Sequence, residues 1–320
     1  MARADLLIDL VEAERRGDKQ RFRTLVEAII AEERSNQHHL VADRLSQIIT
    51  TVGSSDLLAR DDASSRVSEF LLDLVPRRRL ESLQLKPAIR RAVEELVEEH
   101  KRVDLLRSHG LEPRSRILLD GPPGNGKTTL AEAIACETML PFYVVRYEGV
   151  VASFLGETAS RLDAVFDFAR TRRCVLFLDE FDSIAKERSD VHETGEIKRV
   201  VSTLLLQIDR LPAHVVVVCS TNHSELLDRA AWRRFQLRLE LEAPTRVEAT
   251  EFLEGLKIRL GGDLGLASRT LADKLLGASF AELEQVAVDI RRRFVLELPG
   301  GDTREIALSR IEQWRMQAHP

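Results

Sequence analysis

The chain has 320 residues, 44% of them hydrophobic and 31% charged, with a formal net charge of −5. That length accommodates two or three compact units with at least one sizeable core, and the composition excludes a disordered or fibrous chain. The slightly acidic balance offers no global attraction for nucleic acid or acidic lipid, and the longest apolar runs, "VVVVC" and "VLFL", are far too short to span a bilayer.

The first stretch, "MARADLLIDLVEAERRGDK", is charged throughout and lacks the apolar segment of a secretory signal, so a cytoplasmic protein without membrane association is expected. Residues 1–52 read as an N-terminal three-helix domain. Leu6, Leu7, Leu10 and Val11 make one apolar stripe, and Phe22, Leu25, Ile29 and Ile30 make the next. "HHLVADRLSQIIT" carries the third. His38 and His39, on this charged helix, read as surface residues rather than ligands. Residues 53–79 read as a linker, opening in a Ser-, Asp- and Gly-rich tract. It contains a short helix over "RVSEFLLDLV" and a basic turn, "PRRRL". A long helix is predicted from Pro87 to about His109.

From Arg116 short β-rich runs alternate with helices. The runs are "RILLD", "PFYVVRY", "CVLFLDE", "VVVVCST" and "FQLRLELE"; the intervening helices start at Lys127, Thr158 and Glu196. Alternation of this kind predicts an α/β fold with a mostly parallel sheet flanked by helices, here over residues 80–243. After Pro244 only helical patterns remain, over 245–260, 268–276, 279–298 and 303–317, which predicts a small all-helical C-terminal unit at 244–320. Cys136, Cys174 and Cys219 form no CxxC pair, and two of them sit inside apolar runs, so buried reduced thiols are expected.

"GPPGNGKT" at 121–128 fits the phosphate-binding pattern G-x-x-x-x-G-K-[ST], between a predicted strand and a predicted helix as that motif requires. Gly121, Gly124 and Gly126 let the backbone of Gly121, Pro122, Pro123, Gly124, Asn125 and Gly126 wrap around phosphates. Lys127 reaches the β- and γ-phosphates, the Thr128 hydroxyl ligates Mg²⁺, and Thr129 completes the ATP-binding set at the helix N-terminus. "CVLFLDEFD" is a buried strand ending in two carboxylates. Asp179 is expected to orient Mg²⁺ and Glu180 to activate the attacking water. Without the first motif, this pair would read as a helix cap. "VVVVCSTN" ends in Asn222, which can hydrogen-bond the γ-phosphate or the water; alone it would read as a turn residue. "RAAWRRFQL" places Arg229, Arg233 and Arg234 around an exposed-looking Trp232.

Together these segments resemble an AAA+ ATPase of the AAA subfamily that includes spastin, katanin and FtsH-like proteins. "LLRSHGLEPRSRILLDGPPGNGKTTLAEAIA", "VLFLDEFDSIAKER" and "TNHSELLDRAAWRRF" carry the resemblance, which covers about 80–310. It implies a P-loop NTPase sheet, a helical lid, ATP hydrolysis with ATP and Mg²⁺, and self-association into a ring, a hexamer in this subfamily. Arg233 and Arg234 align with the family's paired arginines, one of which is the arginine finger. Set too far round the sheet to serve their own P-loop, they are expected to face the ATP of the next subunit. "VVASFLGETASRL" resembles the first pore loop, with Phe154, Leu155 and Gly156 as its aromatic–hydrophobic–Gly element and Ser153 where relatives often carry a basic residue. A second pore-loop candidate is the polar stretch 187–196.

Two departures stand out. The family's D-x-x-G segment near adenine is replaced by "RRRLESLQLKPAIRRAV", which leaves the adenine contacts unassigned. "GASFAELEQ" aligns with the family's G-[FY]-S-G-A-D-L and puts Ala281 at the sensor 2 position. The functional expectation is an ATP-driven ring motor that remodels, unfolds or disassembles proteins. If the motor feeds a protease, that protease is a separately encoded partner, because this chain carries no HExxH or GxSxG motif. The alternatives are a nucleic-acid-associated ATPase, disfavoured by the charge balance, and a non-threading switch or scaffold. The N-terminal helices suit either partner docking or simple packing.

Overall fold

The computed structural model describes residues 24–26, 29, 67, 69–146, 155–180, 204–223, 232–298 and 301–318. The chain divides into two compact units, 1–65 and 66–320. In the first, residues 24–26 and 29 are helical.

The second unit is built on a six-stranded sheet, ordered β1-β3-β4-β5-β2-β6. Its strands are β1 (Leu71–Leu74), β2 (Arg116–Asp120), β3 (Phe142–Val145), β4 (Cys174–Leu178), β5 (Val215–Thr221) and β6 (Leu237–Glu240). β2 to β6 pair in parallel, and β1 runs antiparallel along β3. The helices are α1 (Pro87–Lys101), α2 (Val103–Ser108), α3 (Lys127–Thr138), α4 (Leu155–Arg170), α5 (Arg246–Arg259), α6 (Ser268–Lys274), α7 (Phe280–Leu296) and α8 (Thr303–Ala318). Residues 204–210 are also helical.

The three central strands are apolar on both faces because helices cover both faces. Leu118, Leu176, Leu178, Val217 and Cys219 pack with Leu162, Phe166 and Ile208 on one side. Ile117, Leu119, Val175, Phe177 and Val218 pack with Leu96 of α1 and Leu130 and Ile134 of α3 on the other. Edge strand β6 reads buried–exposed–buried–exposed, as its alternating sequence predicts. A separate core joins α5 to α8 through Leu253, Leu271, Leu283, Ile290 and Ile311. Capping boxes start α5 at Thr245–Glu248 and α7 at Ser279–Glu282. Cys174 and Cys219 are buried among apolar side chains, and burial pushes the Cys174 thiol up to about 12. Both are free, as is the partly exposed Cys136.

Two expectations are corrected. "RVSEFLLDLV" does not form a helix across its length: Leu71–Leu74 are strand β1. Pro76 disfavours helix just before it, and pairing with the open edge of β3 satisfies backbone groups that four residues of helix could not. The ladder extends to the Arg146 N–H, which donates to Phe70 O at 2.8 Å. The long helix from Pro87 is also interrupted, at Arg102 (φ −115°, ψ 32°). The six residues of α2 bury no side chain, so nothing holds them in line with α1.

His100 sits at the end of α1, buried, with Nε2 donating to Arg114 O at 2.7 Å. Burial lowers its pKa more than the hydrogen bond and the Glu99 carboxylate raise it, with the Arg173 charge adding to the lowering. The unfolded chain therefore takes up a proton near the usual value of about 6.5, before the folded chain does. Stability should be fully present above that pH and fall as the pH drops below it. Urea midpoints of the wild type between pH 7.5 and 5.5 should drop more steeply than those of His100→Gln. Parallel slopes would exclude His100 as the source.

Candidate active site

Each parallel strand delivers its ligand-binding groups at its C-terminal end, the edge where open α/β sheets bind ligands. β2 runs into the glycine-rich loop, β4 into Asp179–Glu180, and β5 ends one residue before Asn222. The loop's shape depends on two glycines. Gly121 has φ +135°, and a Cβ there would lie 2.2 Å from Leu241 O, across the junction with β6. Gly124 has φ +78°, and its Cβ would lie 2.6 Å from Ser279 Oγ at the start of α7. No other residue type fits either position.

Lys127, the first residue of α3, is 7% exposed. Its Nζ donates to Gly121 O at 2.5 Å, Pro122 O at 3.0 Å and Asn222 Oδ1 at 2.6 Å. The ammonium is thus held over the loop, between β2 and β5, with Asn222 beside it. Thr128 Oγ1 donates to Asp179 Oδ2 at 3.2 Å, which brings hydroxyl and carboxylate together at the mouth of α3. Asn125 is buried at 3% exposure, and Pro123, Gly124, Gly126 and Thr129 line the same cavity.

Glu180 has φ +47°, one of two non-glycine residues with positive φ among those described. Its backbone N–H donates to both Asp179 Oδ1 and Ser220 Oγ at 3.0 Å. The hydroxyl of Ser220 in turn donates to Asp179 Oδ1. A left-handed conformation in a glutamate is tolerated when its surroundings over-determine it, and these bonds do so. Ser220 is fully buried and does not stand out in the sequence. The available signal is a hydroxyl set into an apolar run: Leu178 pairs with Cys219, so the next residues on each strand, Asp179 and Ser220, face each other.

The cavity has a volume of about 370 Å³, within the range of small-ligand sites. Its lining is polar around Lys127, Thr128, Asp179, Glu180 and Asn222, and elsewhere is largely apolar (Leu83, Leu85, Leu241, Phe252, Phe280) with Gln84, Arg259 and Glu284 among these side chains. This division suits a ligand with a charged tail and a flat apolar head, and a divalent cation fits the oxygen pair of Thr128 and Asp179. The lid closes onto the loop through two backbone donors. Ala281 N–H reaches Gly124 O at 3.0 Å, and Phe280 N–H reaches Asn125 Oδ1 at 3.3 Å.

The arginine pair lies elsewhere. Gln236 N–H donates to Arg116 O, so Arg233 and Arg234 stand where β6 and β2 begin. They are not displaced around the sheet as expected. They stand beside the strand that feeds the loop but at its opposite end, a strand length of roughly 16 Å away at about 3.3 Å per residue. Arg234 is half-buried and ion-paired with Asp209, whereas Arg233 is exposed. Trp232 is half-buried against the core rather than exposed, with the Arg238 guanidinium 5.3 Å from its ring centre. Leu155 and Gly156 fall in the first turn of α4, which begins earlier than the expected Thr158. Phe154, Arg229 and the stretch 187–196 lie outside the described residues. Among the described residues no helix is long and apolar enough to cross a membrane.

A family model described as "ATPase family associated with various cellular activities (AAA)" matches residues 117–243. The uncharacterized AAA family ATPase y4kL of Sinorhizobium fredii is 35% identical over 303 residues, covering 93% of this chain and 91% of that protein. The proteasome-activating nucleotidase of Aeropyrum pernix is 35% identical over 214 residues, 64% of this chain and 52% of the relative. For the ATP-dependent zinc metalloprotease FtsH 2 of Sorangium cellulosum the identity is 35% over 213 residues, 63% of this chain but only 35% of the relative. The chain thus spans nearly all of the first relative and half or less of the length of several others. Among solved structures, the FIGL-1 AAA domain in complex with ADP superposes with a TM-score of 0.59 at 25% identity, covering 77% of this chain and 82% of that one.

Proposed function

The chain belongs to the AAA family of ATPases, and from that premise we propose that it is a ring-forming, ATP-driven motor that remodels, unfolds or disassembles protein substrates. The observation that carries this reading is the meeting of Lys127, Thr128, Asp179, Glu180 and Asn222 around one cavity at the C-terminal edge of the sheet.

In this reading Lys127 and the loop amides bind the β- and γ-phosphates of ATP. Thr128 and Asp179 would hold Mg²⁺, which would neutralise phosphate charge when bound. Glu180 takes a proton from water as the water oxygen bonds to the γ-phosphorus; the bond to the bridging oxygen breaks, and ADP leaves with that electron pair. Asn222, already bonded to Lys127, orients the water or the γ-phosphate. Arg233 and Arg234 serve the neighbouring subunit, since their own loop lies at the other end of β2. Arg233, exposed, is the finger, and Arg234, ion-paired with Asp209, positions it. The site is complete only in an assembly, so ATP favours ring formation by linkage.

In this reading residues 80–243, with strand β1 (Leu71–Leu74) added to their sheet, form the ATPase domain, 244–320 its lid, the stretch from 53 up to β1 the linker, and 1–52 a domain that docks a protein partner. Phe154, just before α4, grips extended polypeptide in the channel together with Leu155. Relatives named proteasome-activating nucleotidase support a protein substrate. The test is stimulation of ATP hydrolysis by an unfolded polypeptide such as casein. Casein should raise the wild-type rate, double-stranded DNA should not, and Phe154→Ala should lose the stimulation. Stimulation by DNA alone, or an undiminished casein response in Phe154→Ala, would contradict a polypeptide-threading motor.

A further inference from the structure

In the largely apolar part of the nucleotide cavity stand two aromatic rings, Phe252 of α5 and Phe280 at the start of α7. Their centroids are 5.0 Å apart and their planes meet at 73°, an edge-to-face pair. The two residues are anchored differently. Phe252 packs against the lid core. Both are half-buried and line the cavity, but Phe280 does not share that packing. A large aromatic left half-exposed at a cavity wall has a face to offer a ligand. Its sequence position is also a departure: where the family pattern G-[FY]-S-G-A-D-L has glycine after the serine, this chain has Phe280.

The backbone beneath the ring is fixed relative to the phosphate loop. Phe280 N–H donates to Asn125 Oδ1, and the next amide, of Ala281, donates to Gly124 O. Asn125 is itself buried, and its Nδ2 donates to Pro122 O at 3.5 Å. The ring's distance from the loop is therefore set by direct bonds to that loop. Leu83, Gln84 and Leu85 also line this cavity, with Gln84 Nε2 tied to Glu251 Oε2 of α5 at 2.5 Å. The charged pair Arg259–Glu284, at 2.6 Å, lines the same cavity.

We propose that Phe280 is the platform on which the nucleotide base stacks, with Phe252 bracing it edge-on, so that the lid holds the base by its π-face rather than by reading its edges. This rests on the ATP-binding reading of the same cavity. Every base has a π-face, so the lid contributes affinity without discriminating one purine from another. Preference for adenine would then fall to the backbone of residues 82–85 opposite. The stacking residue belongs to the lid and its amide is bonded to Asn125 of the phosphate loop, so a seated base and a closed lid favour each other.

The experiment measures binding of ADP, GDP and inorganic pyrophosphate by calorimetry to the wild type, Phe280→Ala, Phe280→Leu and Phe280→Tyr. Stacking on one aromatic is worth about 10-fold to 100-fold in affinity. Phe280→Ala should lose that much for ADP and the same factor for GDP, while pyrophosphate binding stays within about twofold. Phe280→Leu, which keeps an apolar side chain there and the lid packing, should also lose ADP affinity, and Phe280→Tyr should retain it. Three results would each overturn the proposal: ADP binding by Phe280→Leu equal to wild type, a parallel loss of pyrophosphate in Phe280→Ala, or no loss of ADP in Phe280→Ala. Failure of the wild type to bind ADP would instead remove the ATP reading and this proposal with it.

Discussion

Lys127→Ala should lose ATP binding by roughly 100-fold or more, whereas Glu180→Gln should bind ATP normally and lose turnover by about 10²–10⁴. The two side chains line one cavity but stand in different relations to the phosphates. The Lys127 ammonium is buried at the loop, where Gly121 O, Pro122 O and Asn222 Oδ1 take its three N–H donors, so it meets the phosphate charge by exchanging one of these bonds. Alanine would remove the cation and leave those oxygens facing an anion. Glu180 holds its backbone in place through Asp179 and Ser220, bonds that its side-chain amide would not disturb. Glutamine keeps the shape but cannot accept the proton from water. Fluorescent-nucleotide binding and phosphate release on both variants separate the roles. Equal loss of binding in the two would mean that Glu180 is part of the binding surface, and the base assignment would go. The Glu180→Gln protein, held with ATP, is also the form in which to capture clients.

The second large effect concerns the arginines. Arg233→Ala combined with Arg234→Ala should bind ATP and hydrolyse it about 10³–10⁵ times more slowly, the loss expected for a finger supplied in trans. Mixed with Lys127→Ala, which is inactive for the opposite reason, some activity should return. At one type of interface the first chain supplies an intact loop and the second supplies the arginines. The placement at opposite ends of β2 and β6 makes a cis role geometrically costly, since the pair would have to cross the length of the sheet. The single variants should differ. Arg233→Ala should fall in rate with little change in melting temperature. Arg234→Ala frees the Asp209 carboxylate and should lose some stability as well. Mixed rings that demonstrably form yet stay inactive at every ratio would make the pair structural.

What could be read from the sequence follows how local each signal is. The phosphate loop is legible because it needs glycines where a Cβ cannot fit, and Gly121 and Gly124 bear that out against Leu241 and Ser279. β4 and β5 are legible because a strand covered on both faces must be apolar throughout. β1 is not, since "LLDL" exposes Leu72 and Leu74 and becomes a strand only because β3 offers an edge. Ser220 is hidden for a related reason: its meaning lies in the register between β4 and β5, which no single strand encodes. Phe280 departs from the glycine of the family pattern in the sequence, but what the departure does is hidden until the fold brings it to the phosphate loop. The arginine pair was legible as a motif but not as a location, because adjacency in the sheet and position along a strand are separate facts.

The antiparallel strand added beside β3 has a mechanical consequence. β3 ends at Val145, and Arg146 is still tied to Phe70. A tug on the chain beyond Arg146, directed along the strand, would load β3 between two neighbours, β1 and β4. The ladder bonds run across the strands, so such a load would shear them together instead of peeling them one at a time. A lone edge strand in that place would share the load over one ladder; here it is spread over two, β1 and β4.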